Sequence, residues 1–183
     1  MSDLLISEGR PADPRTPREM AAYDYLDRLG ISYRRVDHAA AETMEACAEI
    51  DTVLGVKMCK NLFLCNRQKT DFYLLLMEPD KPFKTKYLSQ QIGSARLSFA
   101  SAEDLAEKLG VTPGSATVLG LMNDTEHHVR LLMDRPIYES EYIGCHPCIC
   151  TGTVKLKTAD VLNILLPHTG HQPTVVDLPW TTE

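Results

Sequence analysis

Lys60 and Asn61 are adjacent polar residues that could bind an anionic or carbonyl-bearing ligand. They follow the partly basic residues 56–59 and precede the apolar and aromatic residues 62–65. This order predicts a strand that enters the core directly after the pair, so that both residues lie where the strand begins. A lysine there offers three donors on a flexible stem to a phosphate, carboxylate or carbonyl oxygen, and an asparagine adds a donor and an acceptor. A solvated lysine at the edge of a strand is the alternative interpretation.

The second candidate region is the loop over residues 144–153, where glycine, histidine and proline fall close together. This composition predicts a tight loop that fixes one polar side chain, that of His146. The three cysteines Cys145, Cys148 and Cys150 could bind zinc as thiolates. A structural zinc site usually combines two separated ligand pairs, however, and a second pair is missing here. Small buried thiols are therefore the default interpretation, and no metal is predicted.

Nucleophilic catalysis by a thiol is a further alternative, with His146 as the base for Cys145 or Cys148. Neighbours in sequence rarely have the geometry that a base and a nucleophile require, so this hypothesis ranks below the metal site. The chain has neither of the glycine-rich phosphate loops nor a Gly-x-Ser-x-Gly elbow. Nucleotide cofactors and serine hydrolase chemistry therefore lose their sequence support, and no cofactor is predicted.

Charge and cysteine content restrict the class of protein. With a formal net charge of −6, the chain is not expected to have the basic surface that broad nucleic-acid binding requires, so no DNA partner is predicted. Contact with one end of an RNA is still compatible with this charge. The sequence contains no apolar run of membrane-spanning length and no secretory pattern, which predicts a cytoplasmic protein without a membrane partner. The six cysteines are then expected to be reduced thiols.

The elements that position these residues begin with a helix at Thr16. Thr16, Pro17 and Glu19 fit the cap, the first turn and the capping box of a helix that Gly30 ends. Further helices are predicted over residues 44–50, 87–92, 101–110 and 158–166, the last with Thr158 as its cap, and strands over residues 31–37, 62–65, 71–77, 95–99 and 174–178. Residues 118–121 and 129–133 are apolar segments that are not assigned to a helix or a strand. His38 follows the first of these strands and fits a turn or capping residue. The lysines at positions 81, 84 and 86 form a basic cluster that is interpreted as a solvated face.

Strands and helices mix without strict alternation or an internal repeat, so the predicted fold class is α+β. The domain organisation follows from the same pattern. Residues 1–15 are predicted to be a flexible tail, residues 16–178 a single domain, and residues 179–183 a C-terminal tail. A chain of 183 residues is long enough for one domain with a substantial core.

Taken together, these stretches resemble the YbaK and prolyl-tRNA synthetase editing-domain superfamily, and most closely its free-standing ProXp-ala (PrdX-type) deacylase branch. The matching segments are residues 29–31 with His38, 59–64, 96–100, 109–115, 123–124, 146–147, 169–171 and 175–178. They occur in the order of the family and span nearly the whole chain. The resemblance implies a single editing domain with a mixed β-sheet core surrounded by helices.

The resemblance also implies an activity, which is hydrolysis in trans of a mischarged aminoacyl-tRNA. Alanine on the proline tRNA is the expected substrate, and the tRNA acceptor end is the expected partner. Lys60, Asn61 and His146 match the residues to which the family assigns the chemistry. Lys60 would bind the backbone or carbonyl oxygen of the substrate, Asn61 would form hydrogen bonds, and His146 would position the substrate or, secondarily, act as a base. In the family, a free hydroxyl of the terminal ribose is thought to help activate the water, which would explain why no side-chain nucleophile is recognisable.

Substrate-binding roles are implied in the same way for His38, Gly144, Cys145, Pro147 and Cys150. The chain departs from the family in one place, because cysteines replace the usual phenylalanine and leucine on either side of the His-Pro pair. These replacements change the volume near the pocket, so serine or cysteine substrates remain alternatives to alanine. A sensor that binds aminoacyl-tRNA without hydrolysing it is a further alternative. The oligomeric state is not predicted.

Overall fold

The computed structural model describes residues 4–41 and 43–180, and within them the chain forms nine strands and seven α-helical segments. The strands are β1 (Ile6–Glu8), β2 (Arg34–Asp37), β3 (Lys60–Asn66), β4 (Phe72–Met77), β5 (Leu97–Phe99), β6 (Val129–Asp134), β7 (Tyr142–Cys145), β8 (Gly152–Lys157) and β9 (Thr174–Val176). The helices are α1 (Pro17–Arg28), α2 (Met44–Leu54), α3 (Thr85–Ile92), α4 (Ala102–Leu109), α5 (Arg135–Tyr138), α6 (Thr158–Asp160) and α7 (Leu166–Thr169). A 3₁₀ helix covers Val118–Asn123, and a π-helical segment, Val161–Leu165, joins α6 to α7.

The strands form two sheets. The first, sheet A, has the order β1-β2-β8-β7 and is antiparallel throughout. The second, sheet B, has the order β5-β3-β4-β6-β9, in which the β4–β6 and β6–β9 pairs are parallel. An isolated bridge between Met58 and Gly144 connects the segment before β3 to β7. The predicted α+β class is therefore confirmed.

The core is divided by sheet B, whose central strand β4 is buried at all six positions. Successive residues of β3 and of β4 project to opposite faces of the sheet, as the two-residue period of a strand requires. Phe63, Leu74 and Leu76 belong to the larger apolar cluster, which also includes residues of α1 and sheet A. Leu64 and Leu75 belong to a second cluster with Leu88, Val176 and Leu178. Burying a leucine side chain fully contributes about 1.5–3 kcal/mol, so these two clusters stabilise the sheet from both faces.

Helix ends follow the predicted cap chemistry. The hydroxyl of Thr16 accepts a hydrogen bond from the Glu19 amide, which confirms the predicted start of α1. The hydroxyl of Thr43 likewise accepts from the Ala46 amide at the start of α2. This second helix extends beyond the predicted residues 44–50, because its left-handed stop comes at Gly55, with φ of 70°.

Two local predictions are wrong. Residues 1–15 are not a tail throughout, since Ile6–Glu8 pairs antiparallel with β2 as the edge strand of sheet A. The backbone of β2 supplies the hydrogen-bond partners of this short segment, although the sequence of residues 6–8 has no alternating apolar pattern. Thr158 does not cap a helix; it is the first residue of α6, and its hydroxyl lies 3.2 Å from that of Ser140. Residues 1–3 and 181–183 of the predicted tails lie outside the described residues.

Over the described residues, no helix combines the length and the apolar character that a membrane crossing requires.

Candidate active site

Lys60 is the first residue of β3, as the sequence predicts. Its Nζ donates a hydrogen bond of 2.8 Å to the carbonyl oxygen of Lys81. Burial lowers the pKa of Lys60, and the carboxylate of Asp80 opposes this effect. The site therefore contains a half-buried ammonium group whose position depends on the backbone of the turn that follows β4.

Lys81 corrects the interpretation of the basic cluster as a solvated face. Lys84 and Lys86 are exposed, but Lys81 is only 2% exposed. Its ammonium group lies 2.5 Å from Oδ2 of Asp134 and donates to the carbonyl of Leu178 at 3.0 Å. Its partners come from β6 and from the segment after β9, far away in sequence. Local composition could therefore not distinguish this lysine from its exposed neighbours.

Asn61 faces a different environment from Lys60, because successive residues of a strand project to opposite faces. Its Nδ2 donates to the carbonyl of Cys59 at 3.1 Å. Its Oδ1 is buried and receives no hydrogen bond from the described residues. The structure therefore separates the two neighbours, and the side chain of Asn61 holds the backbone that leads into β3 while offering one free acceptor.

His146 follows β7 directly and is held by the loop that connects β7 to β8. Its Nδ1 lies 2.7 Å from the carbonyl oxygen of Gly152. A carbonyl oxygen only accepts, so Nδ1 carries the proton and Nε2 of the neutral ring is an acceptor. Burial lowers the pKa of His146, and the nearby His38 lowers it further, which favours this neutral form.

His38 lies beside His146, with 6.3 Å between the ring centroids. Its Nδ1 is 2.7 Å from the carbonyl of Ala39, and its Nε2 is 2.8 Å from the hydroxyl oxygen of Thr153. The same hydroxyl oxygen lies 3.3 Å from Sδ of Met58. His38, for which a substrate-binding role is predicted, therefore lies next to the ring of His146 and contacts Thr153 of β8.

Met58 connects the segment before β3 to the histidines. Its Sδ contacts the hydroxyl of Thr153, and the same hydroxyl contacts His38. Met58 lies two residues before Lys60, so the chain that leads into the lysine strand also touches the histidine side of the site. Sequence reasoning missed Met58 and Thr153. The position of Met58 two residues before Lys60 was the available signal for the first, and the pairing of β2 with β8, which has no local signal, determines the second.

Gly144 and Pro147 shape the loop that carries His146. The carbonyl of Gly144 accepts a hydrogen bond from the Cys59 amide at 3.2 Å. A Cβ at this position would lie 3.3 Å from Cα of Met58 and 3.2 Å from Cγ1 of Val56, so the two backbones meet where only glycine fits without adjustment. Pro147 is buried and packs near Gly152. Both predicted residues therefore act on the position of the loop.

Three cysteines of this region, Cys59, Cys145 and Cys148, are protonated thiols. Burial raises the pKa of Cys145 and of Cys148 to about 12, and it also raises the pKa of Cys59. Cys150 lies half-buried in the turn before β8. Throughout residues 4–41 and 43–180, no group of three or more histidine, cysteine or acidic side chains is arranged to hold a metal ion. The raised pKa values disfavour a thiolate nucleophile at Cys145 or Cys148, and the described residues do not assemble the ligands that a zinc cluster needs.

A charged network fixes the end of β2, immediately before His38. Asp37 forms an ion pair with Arg15 at 2.6 Å and another with Arg35. These two arginines lower the pKa of Asp37 to about 2. Arg15 also contacts Glu19 of α1 at 3.0 Å, so the network connects the first helix to the strand that carries His38.

A groove of about 700 Å³ lies elsewhere on sheet A. Its lining includes Arg34, Lys155 and Lys157, and it contains none of the predicted site residues. Arg34 pairs with Lys155 three positions from the pair of Asp37 with Gly152. The groove therefore lies toward the other end of these strands from His38 and Gly152.

Comparison with known proteins identifies the family. The model of the aminoacyl-tRNA editing domain matches residues 38–164, a segment that includes every predicted site residue from His38 to Cys150. The chain belongs to the aminoacyl-tRNA editing domain family. The prolyl-tRNA editing protein ProX of Acetoanaerobium sticklandii is 31% identical over 140 residues, which cover 76% of this chain and 85% of that relative. A prolyl-tRNA synthetase associated domain-containing protein 1 of Danio rerio is 32% identical over 91% of this chain and 88% of its own length.

The fold is also that of solved structures. A candidate trans-editing enzyme for prolyl-tRNA synthetase superposes with a TM-score of 0.64 at 15% identity and covers 91% of this chain and all of its own. The family assignment makes the protein an aminoacyl-tRNA deacylase, which hydrolyses the ester between an amino acid and tRNA. Aminoacyl-tRNA is accordingly its partner.

Proposed function

We propose that the protein hydrolyses alanine from the proline tRNA in trans. The family match over residues 38–164 carries this proposal, because it contains both the Lys60 strand and the His146 loop. The name of the 31% identical relative, a prolyl-tRNA editing protein, supports the choice of tRNA. A separate hydrolytic step is useful for such a pair, since a synthetic site distinguishes small apolar side chains by only about 1–3 kcal/mol per methylene.

The proposed chemistry is the attack of water on the carbonyl carbon of the ester. The bond to the ribose oxygen breaks, and that oxygen takes up a proton as the tRNA leaves. Lys60 offers a charge to the carbonyl oxygen, on which negative charge develops in the transition state. Its contact with the Lys81 carbonyl uses one of its three donors, which leaves two for the substrate.

His146 supplies an acceptor in this proposal. Its neutral ring donates from Nδ1 to Gly152, so Nε2 can accept a proton in a hydrogen bond from the attacking water or from a ribose hydroxyl. Asn61 contributes through the backbone of Cys59, and its unpartnered Oδ1 can accept from a donor of the substrate. His38, Gly144, Cys145, Pro147 and Cys150 are proposed to shape the binding site around the ester.

The size of the aminoacyl pocket is the proposed basis of selectivity. Small buried side chains, Cys145 and Cys148, stand where the family carries larger residues, so serine and cysteine esters are the competing substrates. We expect the protein to act in the cytoplasm, where charged tRNA is used in translation. The domain is proposed to extend over residues 16–178, joined by the edge strand Ile6–Glu8.

The test is an ester-cleavage assay with purified protein. Alanine, serine, cysteine and proline, each attached to the proline tRNA, are incubated with wild type, with a Lys60→Ala variant and with wild type plus a chelator. We expect rapid loss of alanine, sparing of proline, no effect of the chelator and loss of activity in the variant. Faster cleavage of the serine or cysteine ester would reassign the amino acid, whereas binding of the tRNA without cleavage would replace the enzyme by a sensor.

A further inference from the structure

The Lys81–Asp134 ion pair is a buried charge pair for which the ester chemistry above has no direct use. The side chains of Lys81 and Asp134 are 3% and 0% exposed, and their charged atoms are 2.5 Å apart. Burying two charges costs free energy that their attraction repays only with good geometry and further hydrogen bonds. Here Oδ1 of Asp134 accepts from the amide of Leu178 at 2.9 Å, and Lys81 donates to the Leu178 carbonyl.

These contacts fix a short turn between β4 and α3. The amide of Lys81 donates to the carbonyl of Glu78 at 3.2 Å, which closes the turn. Pro79 lies within the turn and Pro82 follows it, and a proline both locks its own φ and restricts the residue before it. The backbone of Lys81 is therefore restrained twice: by the neighbouring prolines and by the ion pair of its own side chain with Asp134.

The backbone of that turn is also the partner of Lys60. The Lys81 carbonyl accepts from Nζ of Lys60 at 2.8 Å, while the Lys81 side chain is held by Asp134. One residue thus connects the buried ion pair to the reactive lysine. Other charges near this point include Asp80, which raises the pKa of Lys60, and Lys57, which pairs with Asp80 at 2.6 Å. The exposed Asp177 is also within electrostatic range, since Lys81 together with its ion-pair partner Arg135 lowers the pKa of its carboxyl group.

We propose that Lys81 and Asp134 are positioning residues for catalysis: their buried ion pair holds the Lys81 carbonyl where it directs the Lys60 ammonium toward the ester. This inference rests on the proposed function of Lys60. A residue that only stabilised the fold would not need to present its carbonyl to that side chain. The pair contributes geometry, and an error of about 1 Å in such geometry can cost about 100-fold in rate.

The experiment compares Lys81→Met and Asp134→Asn with wild type. Lys81→Met keeps an unbranched side chain of similar length, and Asp134→Asn keeps an acceptor for the Leu178 amide. The matched control is Asp177→Asn, which removes an exposed ion pair with Arg135 on the next residue to Leu178. Steady-state hydrolysis of Ala-tRNA is measured from pH 6 to pH 10, about the range in which a lysine of lowered pKa titrates. The folded fraction is measured by circular dichroism at the assay temperature.

For both pair variants, we expect kcat per folded molecule to fall by about 10- to 100-fold, with KM changed by less than about 3-fold. The alkaline limit of kcat/KM should also move to lower pH, because Lys60 loses an acceptor for its charged form. Asp177→Asn should match wild type in both respects. The proposal is overturned if the folded pair variants keep the kcat and pH profile of that control.

Two further outcomes are decisive. If the pair variants do not fold, Pro82→Gly is assayed, since it loosens the Lys81 backbone and leaves both charges in place. A fall in kcat with the same alkaline shift supports the positioning role, and an unchanged profile rejects it. If wild type itself cleaves none of the esters, the proposed function fails, which is a different result from an active wild type with fully active pair variants.

Discussion

The two halves of the candidate site are held in place by different forces. Lys60 is directed by a backbone carbonyl whose own residue is fixed by a buried ion pair. His146 is held by a hydrogen bond to the carbonyl of Gly152 and by the neighbouring ring of His38, without any charged partner among the described residues. The position of Lys60 therefore depends on two charged residues that are far apart in sequence, Lys81 and Asp134. The position of His146 depends on a local loop and on a neutral imidazole ring. The two halves should therefore respond separately to mutation and to pH.

The largest effect is expected from the lysine itself. Lys60→Met should lower kcat/KM for the aminoacyl-tRNA by about 100- to 1000-fold, because the transition state loses a charged donor in a partly buried site. Lys84→Met is the matched control, since Lys84 is an exposed lysine close to the same turn. Parallel assays of the two variants measure the effect. Equal activities would show that Lys60 contributes no more than a surface charge.

A smaller effect is expected where the two halves meet. Gly144→Ala should push β7 away from Met58 and lower kcat by about 10-fold, because the added Cβ would lie 3.3 Å from a backbone atom. The same crowding should reduce the free energy of unfolding by about 1–3 kcal/mol. Gly152→Ala is the control, because its Cβ would meet Pro147 at an ordinary 3.4 Å. Urea denaturation and single-turnover assays would reveal an error if the two variants behave alike.

The neutral half predicts a dependence of stability on pH. Burial lowers the pKa of His146 in the folded state below its unfolded value, so the unfolded chain binds more protons as the pH falls. Stability from this residue is therefore complete above about pH 7 and is lost progressively toward about pH 5. His146→Gln should weaken this loss, whereas His168→Gln, at an exposed histidine, should not. Urea unfolding at both pH values tests the prediction, and identical losses in wild type and His146→Gln would contradict it.

The smallest effect concerns the charge next to Lys60. Asp80→Asn should change kcat/KM at about pH 7 by less than 2-fold, because Asp80 lies in an exposed ion pair with Lys57. It should still lower the pKa of Lys60, since the carboxylate of Asp80 raises it. The alkaline limit of kcat/KM should move to lower pH in this variant and not in Lys84→Ala. An unchanged alkaline limit would show that Asp80 does not affect the titration of Lys60.

Much of the fold could be predicted because local chemistry determined it. Thr16 with Glu19 indicates α1, and the two apolar runs joined by the polar residues 66–70 indicate the β3–β4 hairpin, in each case from a short segment alone. The edge strand Ile6–Glu8 could not be predicted, because its pairing with β2 depends on a partner that is distant in sequence. The extent of α2 was underestimated because its stop at Gly55 lies beyond the apparent end of the periodic pattern.

The candidate site divides in the same way. Lys60 and His146 were selected from their residue types and from the family resemblance. Lys60 begins a recognisable strand, and His146 directly follows one. The environment of Lys81 could not be predicted, because Asp134 and Leu178 approach it from distant parts of the chain. Asp124 and His171, which lie in two of the segments that resemble the family, illustrate the same limit. They form a buried pair at 2.8 Å that joins two segments, and their sequence positions gave no sign of this contact.

Two buried thiols, Cys145 and Cys148, and the partly buried thiol of Cys59 surround the His146 loop and can be used to detect its opening. Alkylating reagents react with the thiolate, so a raised pKa makes Cys59, Cys145 and Cys148 slow to react while the chain is folded. When the region opens, the same cysteines meet water and ionise at their ordinary, lower pKa. The alkylation rate of these three residues, resolved by peptide mass, therefore measures how often this region unfolds. The same protection lets the region tolerate mild oxidants that would convert exposed thiolates to sulfenic acids.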